Sequence, residues 1–233
     1  MSASAADIAS NLREVRARIA RAAAASGRKP QDVTLIGVSK TQSAEAIRVA
    51  YETGLRDFGE NRVQEWEGKQ RQLADLDARW HLVGHLQSNK AARASKLFHY
   101  IDSVDSLDLA EKLNRCGSAL APTPILLEVK LDPTPAKSGL TPEQLSVVAE
   151  SIVALPNLKL RGLMCVPPFA ENPEQARPFF RQLRELRDAL AQQLGIALPA
   201  LSMGMSHDFE VAIQEGATEI RVGTAIFGQR IRT

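Results

Sequence analysis

A lysine closes the run Leu35-Ile36-Gly37-Val38-Ser39-Lys40. The run is apolar and rich in branched side chains, so it reads as a buried strand with Lys40 at its C-terminal end. Partly apolar surroundings disfavour an ammonium ion and lower its pKa. A neutral amine can attack an aldehyde and form a Schiff base. Alone, a lysine ending a strand is more often a solvated side chain. Two turns near the C-terminus change that balance. Ser202-Met203-Gly204-Met205-Ser206 follows one strand pattern, and Arg221-Val222-Gly223-Thr224-Ala225-Ile226-Phe227-Gly228 spans the end of the next. Each sets glycine beside a Ser or Thr hydroxyl where a strand passes into a helix. Helix N-termini present free N–H groups and a positive dipole end to phosphate. Either turn alone could be an ordinary N-cap. Together, at the same end as Lys40, they read as the cradle for the phosphate of an aldehyde held by that lysine.

Arg221 stands just before the second turn. It is either a surface ion-pair partner or a donor to the pyridine nitrogen of a bound cofactor. Arginine keeps its proton, so that nitrogen would stay unprotonated and the ring would be a poor electron sink. Gly59-Glu60-Asn61-Arg62 and Gln87-Ser88-Asn89-Lys90 supply further polar groups at strand ends. His81 alone is more often a satisfied core histidine than a catalyst. His81 and His85 are four residues apart, but no third ligand accompanies them, so no metal site is expected. Met164 and Met203 could flank a cofactor ring or simply fill core.

The elements that must position these residues alternate along the whole chain. Strand patterns fall at Val33–Val38, Asp57–Phe58, Trp80–Val83, Tyr100–Ser103, Ile125–Val129, Leu160–Leu163, Ala200–Ser202 and Glu219–Val222. Helical patterns lie between them, at Ser43–Thr53, Arg62–Leu76, Asn89–Ala94, Ser106–Leu120, Pro142–Ala154, Pro173–Gln193 and His207–Glu215. Thr141-Pro142 and Asn172-Pro173 are helix-start signals, and Gly54, Gly195 and Gly216 mark helix ends. Strict alternation implies a parallel sheet, and the number of units implies a closed (β/α)8 TIM barrel, an open doubly wound sheet being the other solution. In such a barrel the C-terminal strand ends form the mouth where active sites sit, and the last two loops are the recurrent phosphate site. Leu12, Val15 and Ile19 add an amphipathic N-terminal helix, expected to cover one end of the fold.

The chain has 233 residues, 44% of them hydrophobic, and a formal net charge of +2 with both signs interspersed. That is a globular chain, expected to be a single domain over 1–233, without the charge bias of a nucleic-acid or membrane-surface binder. No apolar run reaches membrane-spanning length. Cys116 and Cys165 form neither a metal motif nor a disulfide framework, so a reducing cytoplasm is the expected setting.

These stretches together resemble the YggS/PROSC family, the pyridoxal phosphate homeostasis proteins. The resemblance rests on Val38-Ser39-Lys40, Phe58-Gly59-Glu60-Asn61-Arg62, Trp80 to Gly84, Leu86 to Lys90, Lys137-Ser138-Gly139, Gly162-Leu163-Met164, Leu201 to Asp208 and Arg221 to Gly228, in family order over nearly the whole chain. It implies a fold-type III barrel like the N-terminal domain of alanine racemase, with pyridoxal 5′-phosphate (PLP) on Lys40. It implies that Ser206, Gly223 and Thr224 hold the phosphate, that Arg221 faces the pyridine nitrogen, and that Asn61, His81 and Met203 line the pocket. His85 departs from the family, whose members often carry proline after that glycine, so the loop following the third strand is the place to check. The resemblance also implies a carrier that binds, protects and hands PLP to PLP-dependent apoenzymes, with no catalytic residue of its own. A barrel with a polar outer face can stand alone, and a monomer is expected.

The residues agree with a carrier. A racemase needs a second acid–base group opposite the lysine. Tyr51 and Tyr100 are the only tyrosines, and neither falls at a predicted barrel mouth. Two other readings stay open. One is a PLP-dependent racemase or lyase using His81 or Cys165 as its second base; the other is a barrel that binds a different phosphorylated metabolite, with Lys40 as a simple anion partner.

Overall fold

A computed structural model describes residues 4–132 and 138–228. Lys137, part of one motif quoted above, lies outside the described residues. Eight parallel strands close into a barrel in sequence order: β1 (Thr34–Val38), β2 (Asp57–Glu60), β3 (Arg79–Leu82), β4 (Tyr100–Val104), β5 (Thr123–Glu128), β6 (Leu158–Met164), β7 (Ala200–Ser202) and β8 (Glu219–Val222). Closure is made by β1 on β8, with Ile36 opposite Arg221 and Gly37 opposite Val222. The (β/α)8 expectation therefore holds, and the open-sheet alternative does not.

Around the barrel run α1 (Ala5–Ala25), α2 (Ala44–Glu52), α3 (Val63–Lys69), α4 (Ala91–Leu97), α5 (Leu107–Cys116), α6 (Pro142–Val153), α7 (Arg177–Leu194), α8 (Phe209–Gln214) and the single turn α9 (Thr224–Phe227). The start signals read from the sequence act as such: the Thr141 N–H donates to Gln144 Oε1 at 3.1 Å, and Asn172 Oδ1 accepts from the Glu174 N–H at 3.0 Å. Two helices stop earlier than their patterns suggest. α3 passes at Gln70 into a 3₁₀ turn, just after Gly68, which weakens a helix interior. α5 ends at Cys116 because Asn157 reaches across to take the Asn114 carbonyl with its side-chain amide at 2.7 Å.

α1 does not cover an end of the barrel. It packs on α2, α8 and α9, and fills the place that a full eighth helix would take after β8. Ile8, Leu12, Val15 and Ile19 are buried on one face, each contributing about 1.5–3 kcal/mol. Asn11 Nδ2 donates to the Ile226 carbonyl at 3.0 Å, and Arg18 pairs with Glu210 at 2.6 Å. This helix seals the side of the barrel next to the last turn.

The core has two parts. Strand residues that face the helices, such as Phe58, Trp80, Leu127, Leu163 and Ile220, join one large cluster, in which Trp66 of α3 stacks on Trp80 at 3.6 Å. Inside the barrel the apolar cluster is small, Leu126, Met164 and Ala200. The rest of the buried strand polar groups include Asp57, His81, Asp102, Ser202, Glu219 and Arg221. A barrel interior is ordinarily packed with branched apolar side chains. Here it carries charge, and that charge has to be paired.

Candidate functional site

A cavity of about 360 Å³ opens at the C-terminal ends of the strands. Val38 and Lys40 reach it from β1, Asn61 from the turn after β2, Ser206 and His207 from the turn after β7, and Arg221, Gly223 and Thr224 from β8 and its turn. Lys40, Ser206, Gly223, Thr224, Arg221 and Asn61, singled out from sequence, therefore share one cavity.

The two glycine turns are locked to one another. Gly204 has φ +93°, and a Cβ there would stand 2.6 Å from the Ala212 Cβ and 2.9 Å from the Phe209 Cα. Its carbonyl accepts from the Arg221 N–H at 2.9 Å. The Met205 N–H donates to Asp208 Oδ1 at 2.6 Å, which turns the chain so that Ser206 faces β8. Ser206 Oγ then accepts from the Ala225 N–H at 3.2 Å. A Cβ on Gly223 would lie 3.2 Å from the Val38 carbonyl oxygen, so the last turn sits tight against the strand that carries Lys40. At the opening of α9 the Ala225 N–H is taken by Ser206 and the Ile226 and Phe227 N–H groups by the Gly223 carbonyl, which leaves the Thr224 N–H without an intrahelical partner, with Ser206, Gly223 and Thr224 on the cavity wall. That is a cradle for an anion.

Arg221 is buried and held from two sides. Nη1 donates to Ser202 Oγ at 2.7 Å and Nη2 to the Cys165 carbonyl at 2.8 Å. The plane of the guanidinium is fixed, and its edge lines the cavity. An amine, a phosphate cradle and a fixed guanidinium bordering one cavity fit a phosphorylated pyridine aldehyde.

Three expected residues are elsewhere. His81 lies inside the barrel and does not line the cavity. Nδ1 meets Asp102 Oδ2 at 3.0 Å, Nε2 meets Asp57 Oδ1 at 3.2 Å, and Tyr100 stacks on the ring at 4.3 Å. Burial alone would lower its pKa; Asp102 and Asp57 outweigh burial and push it up to about 10. Asp57 also pairs with Arg79 at 2.6 Å, and despite burial its carboxyl lies below the ordinary range. Both ring nitrogens are committed, so His81 does not serve as a base at the mouth. Met203 belongs to the sheet–helix core. Ser202 faces inward, so strand alternation turns Met203 outward, and the left-handed Gly204 brings Met205 back to the cavity. Met164 packs with Leu126 and Ala200 inside the barrel.

Cys165 is buried in the sheet–helix core, which leaves neither it nor His81 on the cavity wall. Tyr51 lies in α2, and Tyr100 opens β4, away from the mouth. The loop holding His85 is set by polar contacts: His85 Nδ1 lies 2.9 Å from Asp105 Oδ2, and Ser103 Oγ donates to the Gly84 carbonyl at 2.7 Å. Val166, Phe169 and Met205 line the cavity, and no feature of the sequence distinguished them. His207 also lines it, with Nε2 2.9 Å from the Glu171 carbonyl oxygen. Among the described residues no group of three or more His, Cys, Asp or Glu could hold a metal ion.

The family of the alanine racemase N-terminal domain matches residues 7–231. A pyridoxal phosphate homeostasis protein of Pseudomonas aeruginosa is 49% identical over 225 residues, covering 96% of each chain. One from Aquifex aeolicus is 46% identical over 220 residues, covering 94% of this chain and 96% of its own. The structure of PipY from Synechococcus elongatus, with PLP bound, superposes with a TM-score of 0.84 at 43% identity, covering 95% of this chain and all of that one.

Proposed function

This chain belongs to the family of pyridoxal phosphate homeostasis proteins, and from that membership we propose that it takes up PLP covalently on Lys40 and holds it with little or no turnover. The observation that carries the reading is the meeting of Lys40, the Ser206–Gly223–Thr224 cradle and Arg221 around one cavity. When bound, the cofactor offers an aldehyde carbon that an amine can link as C=N with loss of one water, and a phosphate dianion.

Each residue has a task. Lys40 supplies the nucleophile. The Ser206 hydroxyl, set by the Ala225 N–H, and the N–H and hydroxyl of Thr224 would hold the phosphate. Arg221, fixed by Ser202 and the Cys165 carbonyl at the cavity wall, would offer an N–H to the ring nitrogen and, keeping its own proton, would leave that nitrogen unprotonated and the ring a weaker electron sink. Val38, Val83 and Val166 give the ring an apolar wall. Asn61 borders this cavity and two adjoining ones, and stands where a polar group of the cofactor or an incoming amine would pass.

The racemase or lyase reading loses its two candidate bases, since His81 is clamped between carboxylates and Cys165 faces the helices. Dry, opposed acid–base pairs run such reactions; this mouth has Lys40 on one side and His207 at its rim. The barrel running unbroken from β1 to β8 supports one domain over 1–233. No helix among the described residues is long and apolar enough to cross a membrane. We place the protein in the cytoplasm, as a monomer that gives PLP to PLP-dependent apoenzymes; the free thiols Cys116 and Cys165 suit a reducing compartment.

Adding PLP to the purified protein gives a visible absorption band that is missing in Lys40→Ala. Exchange of α-deuterium from a panel of amino acids stays far below the roughly 1–10³ per second of ordinary enzymes. A colourless mixture, or exchange in the enzymatic range, overturns the proposal.

A further inference from the structure

Lys40 is flanked by residues whose backbone is gripped from outside the cavity. Ser39 is fully buried; its N–H donates to the Gly59 carbonyl at 2.9 Å and its hydroxyl to Glu60 Oε1 at 2.7 Å. On the other side, Thr41 adopts φ +65°. A left-handed β-branched residue persists only where its surroundings over-determine it. The Thr41 N–H donates to Glu65 Oε1, and the Thr41 hydroxyl donates to the Lys40 carbonyl at 2.6 Å.

One cation joins the two sides. Lys69 Nζ lies 2.7 Å from Glu65 Oε1, 3.3 Å from Glu60 Oε1 and 3.2 Å from the Ser39 carbonyl oxygen. Its side chain is 15% exposed, that of Glu65 24%, and that of Glu60 fully buried. Burial pushes the Glu60 carboxyl up, against the pull of Lys69 and Ser39. Burial acts on Glu65 as well, but Lys69 and the Thr41 N–H outweigh it and hold its carboxyl below the ordinary range. An ion cluster so little exposed is a poor source of net stability, because desolvation offsets the attraction. None of the three side chains lines the Lys40 cavity. Lys69 and Glu65 contact the backbone immediately before and after the lysine, and Glu60 takes the Ser39 hydroxyl.

We propose that Glu65, Lys69 and Glu60 are positioning residues, which fix Ser39 and Thr41 so that the Lys40 amine projects into the cavity at a set place. The inference rests on the reading of Lys40 as the covalent anchor. Glu65 and Lys69 sit four apart on α3, so both side chains lie on one helix face, which the fold sets against the end of β1.

Two substitutions at one position separate positioning from a simple staple. Glu65→Gln and Glu65→Ala both lose the ion pair with Lys69, but only Gln keeps an oxygen for the Thr41 N–H. Covalent uptake of PLP by the ligand-free proteins is followed by stopped-flow absorbance, beside thermal midpoints. Glu65→Ala slows uptake roughly 10- to 100-fold, the scale set by misplacing a reacting group by about an ångström, while Glu65→Gln stays within about threefold of the parent chain. Uptake in Glu65→Ala within about threefold of the parent, or equal slowing in both variants, overturns the proposal. If Glu65→Ala does not fold, Lys69→Met is read in its place, with slowing on the same scale expected and unchanged uptake overturning it.

If the parent chain itself takes up no PLP on Lys40, the failure belongs to the reading of the anchor. Competitive acetylation of the ligand-free proteins then decides the positioning claim alone, with the exposed Lys159 as internal reference. A change of at least about threefold in the relative labelling of Lys40 in Glu65→Ala supports it, being of the size that a shifted reacting group produces, and unchanged labelling overturns it.

Discussion

The charged interior of the barrel makes a prediction about pH. Replacing His81→Gln and Asp102→Asn together exchanges the buried ion pair for two neutral amides of similar size. His81 meets Asp102 and Asp57 at 3.0 and 3.2 Å and titrates at about 10 in the folded chain, against 6.5 for a free imidazole. A group whose pKa is raised by folding stabilises fully below its unfolded value, and that stabilisation is lost as pH climbs through the folded value. The window is therefore from 6.5 to about 10. Within it the parent chain loses up to ~1.4 kcal/mol per pH unit relative to the double variant, and on the order of 5 kcal/mol at most across the whole window. Glu219 must be kept apart from this. Burial and Asp102 raise it to about 7, so its loss of stabilising effect runs from 4.5 to about 7, below most of the His81 window. Denaturant unfolding of both ligand-free proteins at pH 7, 8, 9 and 10 measures the difference directly, since the other lysines, tyrosines and cysteines titrate in both. A parent-minus-variant stability difference that falls steadily as pH rises from 7 to 10 is expected. Parallel curves would mean that His81 is neutral in the barrel, and the account of the interior as a paired ionic layer would be wrong.

Other consequences concern the cradle. Ser206→Ala removes a hydroxyl that would bond a charged phosphate, a bond worth about 1.5–3 kcal/mol, so PLP is held about 10- to 100-fold more weakly in equilibrium titration. An unchanged affinity would move the phosphate elsewhere. Gly204→Ala puts a methyl group 2.6 Å from the Ala212 Cβ at a left-handed position. It lowers stability by about 1–3 kcal/mol, seen as a fall in the thermal midpoint, and also weakens PLP uptake because the Ser206 turn is displaced. His207→Ala, at the rim, leaves the visible band of bound PLP intact; a lost band would make the histidine part of the binding machinery.

Much of the fold was legible because a parallel barrel writes its strands as short, nearly continuous apolar runs. Val33–Val38 and Ile125–Val129 stood out for that reason, and the glycine turns after β7 and β8 were legible because close backbone approach leaves a compositional mark. Side-chain direction was harder. His81 and Met203 occur in motifs rich in polar groups, yet strand alternation carries one into the barrel interior and the other toward the helices. Met205 reaches the mouth only because Gly204 reverses the chain, a backbone event that spacing alone does not reveal. The role of α1 was hidden as well, since its apolar face says that it packs but not that α9 is too short to close the helix ring. Glu65 and Lys69 carry no mark in the sequence, because opposite charges four apart are common on a helix surface and only the fold brings the end of β1 beside them.

Every role assigned to the barrel mouth depends on a single bond between the Lys40 amine and the cofactor. Borohydride reduction of the PLP-treated protein, followed by proteolysis and mass spectrometry, locates the pyridoxyl group by residue. The expected result is stoichiometric label on Lys40. Label on another lysine, or none retained after reduction, would contradict it.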